Sequence, residues 1–383
     1  MKLRNRWSIS MFLLVFVGMS GLIPGSQQNA MAKDEFIYIA LTAPITGDYA
    51  EYGNNFKKSV EMGMDLINQN GGILGKQLKV IVGDSKGDPK ESSTLAQKFI
   101  SDDKIVAEIG DFTSTCCLAA QPIYDQVGMV QLSPTSSHPD FAKGSKYSFG
   151  IIGTQAGEGP FMALMTNELG FKKVAVLYVN NDWGIVTNKY YSNALKEYGI
   201  EVVDREFYFD GERDFTAVLT KLKNSNPDML FIASMYNDGA LINKQREKLG
   251  WDVPVLGPGS LYSPKLIELG GEAVEGLYTT VVFHPKNPKP EIQAFVSEFV
   301  KRYETTPNMF AAVAFDAINL LADAIERAGS TDREAIREAI AATKDFPGVT
   351  GKITFTEVGD VMKEYTRVQV KNGEFQVYLP DAK

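Results

Sequence analysis

The sequence is short of the residues on which most chemistry depends. Among 383 residues there are two histidines and two cysteines. The cysteines, Cys116 and Cys117, are neighbours. One trans peptide holds their Cα atoms about 3.8 Å apart, closer than a disulfide usually allows. The pair reads as small apolar filling on a helix, and without a nearby His it does not read as a metal site. His138 and His284 each precede a proline and lie far apart. His138 sits close to a hydroxyl-rich segment and reads as a surface-loop residue. There is no Walker loop, no G-x-S-x-G, no H-E-x-x-H and no dinucleotide glycine fingerprint after the first strand. No base–nucleophile set emerges, so catalysis has little support and no cofactor is expected.

A basic run is missing too, and the formal charge is −8. Such a chain is a poor partner for nucleic acid and is repelled by anionic membranes. No segment reaches transmembrane length. The N-terminus has the pattern of an export signal. Lys2, Arg4 and Arg6 precede a largely apolar stretch, 9–19, and then Gly21, Pro24 and Gly25. Ala30-Met31-Ala32 fits the small-x-small cleavage rule. Eleven helical residues rise only about 16 Å, against a bilayer core of roughly 30 Å. Residues 1–32 are expected to be removed, leaving a periplasmic or otherwise secreted protein that begins near Lys33. No Cys follows the cut to carry a lipid. Losing three cations and no acid takes the formal charge to −11.

What remains is ordinary in composition and long enough for two domains, with 44% hydrophobic residues. Short β-branched runs alternate with helical periods. Strands are predicted at 36–41, 78–82, 106–109 and 129–132, with helices between them. Asp88-Pro89 opens one helix as cap and first residue. The rhythm restarts at Lys172, with strands at 174–179, 201–209, 229–233 and 253–256. Two runs of βα units imply an α/β protein of two doubly wound, parallel-sheet lobes. The tail differs. Helices at 292–303, 310–328 and 332–343 precede strand-like segments at 352–355, 365–370 and 375–379, with a turn at Asn372-Gly373. Such a tail fits best if it crosses back to complete both lobes.

Ligands of open α/β sheets bind where loops leave the carboxyl ends of strands. Those loops are rich in hydroxyls here: Thr113, Ser114 and Thr115 after one strand, then Ser133, Thr135, Ser136 and Ser137 after another. Each cluster precedes a helix, where free N–H groups and hydroxyls favour a carboxylate. Helix capping explains one hydroxyl per loop, but not all of them. Aromatic residues occupy equivalent loops in both halves: Tyr49, Tyr52, Trp183 and Tyr236. They suit walls that enclose a ligand. Asp182 and Asp238 share these loops; each could face an ammonium or cap a helix.

These residues resemble the branched-chain amino-acid-binding family of periplasmic proteins, the type I solute receptors of ABC importers. The likeness spans nearly the whole mature chain. It is carried by Pro44-Ile45-Thr46-Gly47, Tyr52-Gly53, Asn70-Gly71-Gly72-Ile73-Leu74-Gly75, Asp88-Pro89, Ile109-Gly110, Leu132-Ser133-Pro134, Asp214-Phe215-Thr216, Asn226-Pro227-Asp228 and Glu275-Gly276. The resemblance implies lobes joined by a three-segment hinge, with crossings near Gly153, Val282 and Thr356. The N-terminal lobe would be 34–152 with 283–355, and the C-terminal lobe 153–282 with 356–383. It also implies an α-carboxylate held at Ser114 and Ser137, and an ammonium held partly by a carbonyl near Thr135 or Ser136. Trp183 and Tyr236 would close the second lobe over the ligand, with Tyr52 opposite. A cystine of some members would match Gly87 and Thr113, and both its cysteines are absent. The acid that meets the ammonium would match Gly259, so either Asp182 or Asp238 replaces it or the ligand lacks an ammonium. The expected role is capture of an amino acid, or a related small carboxylate or amide, by a monomer that delivers it to an ABC transporter membrane permease. A sensor feeding a signalling receptor and an enzyme on the same fold are the rival readings.

Overall fold

The computed structural model describes residues 35–379. The export signal expected at 1–32 lies outside the described residues. Among the described residues no helix is long and apolar enough to cross a membrane.

The first half runs β1 (Phe36–Ala43), α1 (Ala50–Gln69), β2 (Gln77–Asp84), α2 (Pro89–Ile100), β3 (Ile105–Ile109), α3 (Ser114–Asp125), β4 (Val130–Ser133), α4 (Pro139–Gly144) and β5 (Ser148–Gly150). Helix α5 (Gln155–Glu168) leads into β6 (Lys173–Val179), α6 (Asp182–Leu195), β7 (Glu201–Tyr208), α7 (Thr216–Asn224) and β8 (Met229–Ala233). Next come α8 (Tyr236–Lys248), β9 (Val255–Leu256), α9 (Pro264–Gly270) and β10 (Tyr278–Val281). The tail carries α10 (Pro290–Tyr303), α11 (Met309–Ala328), α12 (Arg333–Ala341), β11 (Phe346–Gly348), β12 (Gly351–Ile353), β13 (Thr366–Lys371) and β14 (Glu374–Val377).

The strands form two main sheets. The first, ordered β2-β1-β3-β4-β5, is wholly parallel. The second is ordered β14-β13-β10-β9-β8-β6-β7, and only β13 and β14 join it by antiparallel pairing. Central strands β3 and β8 are buried along their whole length, as helices on both faces require. The tail serves both halves. Helix α11 packs on α1 and α12 packs on α11, while β13 pairs with β10 in the other sheet. The chain therefore passes between the halves after β5, after β10 and again before β13. The segment 352–355 contributes to a separate ribbon of β11 and β12.

Local signals explain the helix starts. The Asp88 carboxylate accepts from the N–H groups of Lys90 and Glu91, with Pro89 at the first position. Asn308 caps α11 in the same way. Helix α5 is less obvious from sequence because it carries Gly157, Gly159 and Pro160. Gly159 is needed where α5 crosses α6. A Cβ there would lie 2.8 Å from Tyr190 Cβ and 2.9 Å from the backbone beyond it. Cys116 and Cys117 are buried free thiols on α3, beneath the hydroxyl-bearing loops.

Candidate functional site

The carboxyl ends of β3, β4, β8, β9 and β10 and the first turn of α5 converge on one cavity of about 50 Å³. That is room for a few water-sized groups, which suits a solute the size of a small amino acid. The first half contributes Phe112, Ser114, Thr135 and Ser137. The second contributes Trp183, Met235, Gly259, Ser260 and Val281. Gln155 and Glu158 come from α5, Met309 and Phe310 from α11, and Tyr365 from the last crossing.

The hydroxyls gather at one end. Thr113 caps α3, its side chain accepting from Cys116 N. Ser114 is the first residue of that helix, where N–H groups have no intrahelical acceptor. Its Oγ accepts from Ser137 N at 3.3 Å. Ser137 Oγ accepts from Gln155 Nε2 at 3.2 Å. Each hydroxyl thus takes one bond from the protein and keeps a proton to give. Thr135 lines the cavity, but its hydroxyl donates to Phe112 O at 2.7 Å and ties the two loops together. Thr115 and Ser136 stand behind the lining, and their hydroxyl oxygens are buried without a partner.

The predicted aromatics divide into two roles. Trp183 is part of the cavity wall. Tyr52 and Tyr236 instead seal the seam between the halves. The Tyr52 hydroxyl donates to Ser260 O at 2.6 Å and accepts from Tyr236 N at 2.9 Å. The Tyr236 hydroxyl donates to Asp48 O at 3.1 Å. Tyr52 also stacks on Phe112, with ring centroids 4.1 Å apart, and meets the edge of Phe310 at 4.6 Å. It therefore braces the wall from behind. More contacts extend the seam: Tyr49 Oη donates to Asp210, and Arg213 pairs with Asp48 at 2.5 Å. Glu51 joins it through Ser263 and Asn308, and burial pushes its carboxyl up to about 7.

Neither predicted acid lines the cavity. Asp182 is exposed at the start of α6; burial holds the His138 imidazole below its ordinary value, against the pull of Asp140 and Asp182. His138 Nδ1 caps α4 by accepting from Asp140 N. Asp238 accepts from Tyr208 Oη at 3.2 Å and lies 3.6 Å from Arg213. Burial raises its carboxyl to about 6, against the pull of those two partners.

A different carboxylate is present, one that no sequence pattern singles out. Glu158 lines the cavity and is only 9% exposed. Its Oε1 accepts from Gly259 N at 2.9 Å and Thr280 Oγ1 at 2.5 Å. Its Oε2 accepts from Gln155 Nε2 at 2.7 Å. Gln155 therefore bridges the hydroxyl end, through Ser137, to the carboxylate. The same Gly259 at which the family resemblance puts an acid hands its backbone N–H to Glu158.

The profile of the periplasmic binding protein family matches residues 37–374. The leucine-, isoleucine-, valine-, threonine- and alanine-binding protein of Pseudomonas aeruginosa is 28% identical over 360 residues, 93% of this chain and 92% of that one. The crystal structure of leucine-binding protein LivK from Thermotoga maritima superposes with a TM-score of 0.84 at 31% identity, over 90% of this chain and 98% of its own. The substrate-binding protein LivJ of Streptococcus pneumoniae, solved in complex with isoleucine, gives 0.83 at 27% identity, over 90% and 99%. With the matched profile spanning both sheets and the tail that joins them, this chain belongs to the periplasmic binding protein family.

Proposed function

We propose that this chain is the extracytoplasmic solute-binding component of an ABC importer. It captures an aliphatic amino acid, or a similar small carboxylate or amide, by closure of its lobes and passes it to a membrane permease. The observation that carries this reading is the cavity between the halves, with carboxylate donors at one end and apolar walls around the rest. Ser114 and Ser137 supply hydroxyl protons, and the first turn of α3 adds its N–H groups. Hydrogen bonds to a charged group contribute roughly 1.5–3 kcal/mol each. Two or three of them, with an aliphatic side chain buried on Phe112, Trp183 and Met309, reach the ~8 kcal/mol of micromolar binding. The names of the relatives point the same way, to leucine, isoleucine, valine, threonine or alanine.

The moving bodies are 34–152 with 283–355 and 153–282 with 356–383. The Tyr52–Ser260 and Arg213–Asp48 contacts bridge them and belong to the closed form. Ligand shifts the balance toward closure because only that form touches it from both sides. The protein acts as a monomer after removal of residues 1–32.

The test is a thermal-shift screen of the mature protein with single amino acids, amides and small carboxylates. A ligand at 100 times its dissociation constant adds about 2.7 kcal/mol. Small-angle scattering with the best ligand should show compaction. An unmoved transition across the whole panel, or an unchanged radius at saturation, would overturn the proposal.

A further inference from the structure

We infer that Glu158 is the counter-charge for the ligand's cationic group, the α-ammonium of an amino acid, and that Gly259 is small so that this carboxylate can reach its place. The inference rests on the amino-acid reading above and assigns the group that would enforce it.

Glu158 is a nearly buried acid on the wall of the cavity. Among the described residues no Lys, Arg or His forms an ion pair with it. A buried carboxylate without a counter-charge is costly, and the cost falls when a cation arrives beside it. All three of its protein partners are donors: the Gly259 N–H, the Thr280 hydroxyl and the Gln155 amide. That is the set an ionised carboxylate takes. A carboxylate has about four lone-pair sites. Two are filled on Oε1 and one on Oε2, so an acceptor site stays open on Oε2.

A second acceptor stands next to it. Gln155 is 1% exposed, lines the same cavity, and its Oε1 has no hydrogen-bond partner. A buried, unpartnered carbonyl oxygen one helical turn from an open carboxylate position calls for a ligand with several N–H donors. An ammonium has three. The other end of the Gln155 amide holds Ser137, at the hydroxyl end of the cavity. The two ends are therefore linked by one side chain, as the two charges of an amino acid are linked by one carbon.

Gly259 explains why the charge comes from α5. A Cβ at that position would lie 2.9 Å from Thr280 O and 3.1 Å from Met309 Cε. Any side chain there, an acid included, would displace the backbone N–H that anchors Glu158 Oε1. The carboxylate thus stands on α5 and not on the β9 loop, where the family resemblance puts it, and position 259 is tight for any larger residue.

The test compares pairs of ligands that differ only in the amino group. Calorimetry on the mature protein would use leucine, isoleucine, valine, threonine and alanine, each against its deaminated acid. The wild type is expected to prefer an amino acid over its deaminated partner by ~100-fold or more, the scale of an uncompensated buried charge. Glu158→Gln is nearly isosteric, and Gln155 can turn its free Oε1 toward the new amide. It should lose most of the amino-acid affinity, keep or improve that for the deaminated acid, and so collapse the ratio. An unaltered ratio in Glu158→Gln overturns the inference while leaving amino-acid capture intact. So does a wild type that binds both partners equally. Binding of none of the five pairs overturns the amino-acid reading and this inference with it. If Glu158→Gln does not fold, Glu158→Asp, which withdraws the charge by one methylene, should lower the ratio, and an unchanged ratio overturns the assignment.

Discussion

The oxygen of Tyr52 offers the sharpest test of lobe closure, because one atom serves both sides of the seam. Tyr52→Phe removes the donor to Ser260 O at 2.6 Å and the acceptor for Tyr236 N at 2.9 Å. The ring stays stacked on Phe112 and against Phe310, so the cavity wall keeps its support. Each lost hydrogen bond contributes about 1 kcal/mol net. In the open form water serves both orphaned groups, so the loss of about 2 kcal/mol falls on the closed form alone. Ligand affinity should drop about 30-fold, mostly as faster dissociation, since the seam forms after encounter. Calorimetry would give the affinity, and stopped-flow release the rate. The melting temperature without ligand should barely move. Affinity within threefold of wild type would refute the reasoning, since the bridge would then not belong to the liganded state. A large loss of unliganded stability would refute it as well, by making Tyr52 a core residue first.

Three further outcomes are expected. On the proposed reading Ser114→Ala removes a donor to the ligand's carboxylate and should weaken binding by roughly 1.5–3 kcal/mol, read by calorimetry. Closure should also depend on pH through Glu51, whose carboxyl burial raises from 4.5 to about 7 although Ser263, Asn55 and Asn308 hydrogen-bond to it and Lys265 draws it down. Closure buries the Glu51 carboxyl against Ser263 of the other lobe and so favours its protonated form; closure is therefore favoured at low pH and weakens as pH rises through 7. Asp238, raised to about 6, acts with the same sign. Affinity measured from pH 5 to 8 should fall with pH, and Glu51→Gln should flatten the slope. Gly259→Ala should cost about 1–3 kcal/mol of ligand binding by overpacking, since its Cβ would press on Thr280 O at 2.9 Å; unchanged calorimetric affinity would show that the β9 loop yields.

The architecture was legible because buried parallel strands leave a plain trace. Runs such as 174–179 and 229–233 are short, apolar and β-branched, and each is followed by a polar loop and a helical period. The tail's role could be read as well, since three helices and a hairpin with no sheet of their own need partners. Helix α5 was hidden by Gly157, Gly159 and Pro160, which propensity assigns to loops. Packing overrules propensity there. Gly159 lets α5 approach Tyr190 and Tyr191 on α6, and that packing holds the helix together although Pro160, inside it, cannot bond back to Ala156.

The missing helix also hid Glu158. Hydroxyls at strand exits advertise themselves, because Ser and Thr cluster just before a helical run. An acid in an unrecognised helix looks like any surface Glu, and nothing local distinguishes Glu158 from Glu168 ten residues on. The distinction is made at a distance in sequence, by Gly259 and Thr280 of the same lobe, which reach Glu158 only once β9 and β10 are folded beside α5. The loop acids Asp182 and Asp238 were plausible from sequence position, yet one stays in solvent and the other is turned toward Tyr208 and Arg213. Position on a loop sets which cleft a residue borders. The neighbours that satisfy its charge decide whether it faces that cleft. Asp238 already has a cation, whereas Glu158 has donors on three sides and no cation among the described residues. Of Asp182, Asp238 and Glu158, only Glu158 has an electrostatic reason to prefer a positively charged ligand.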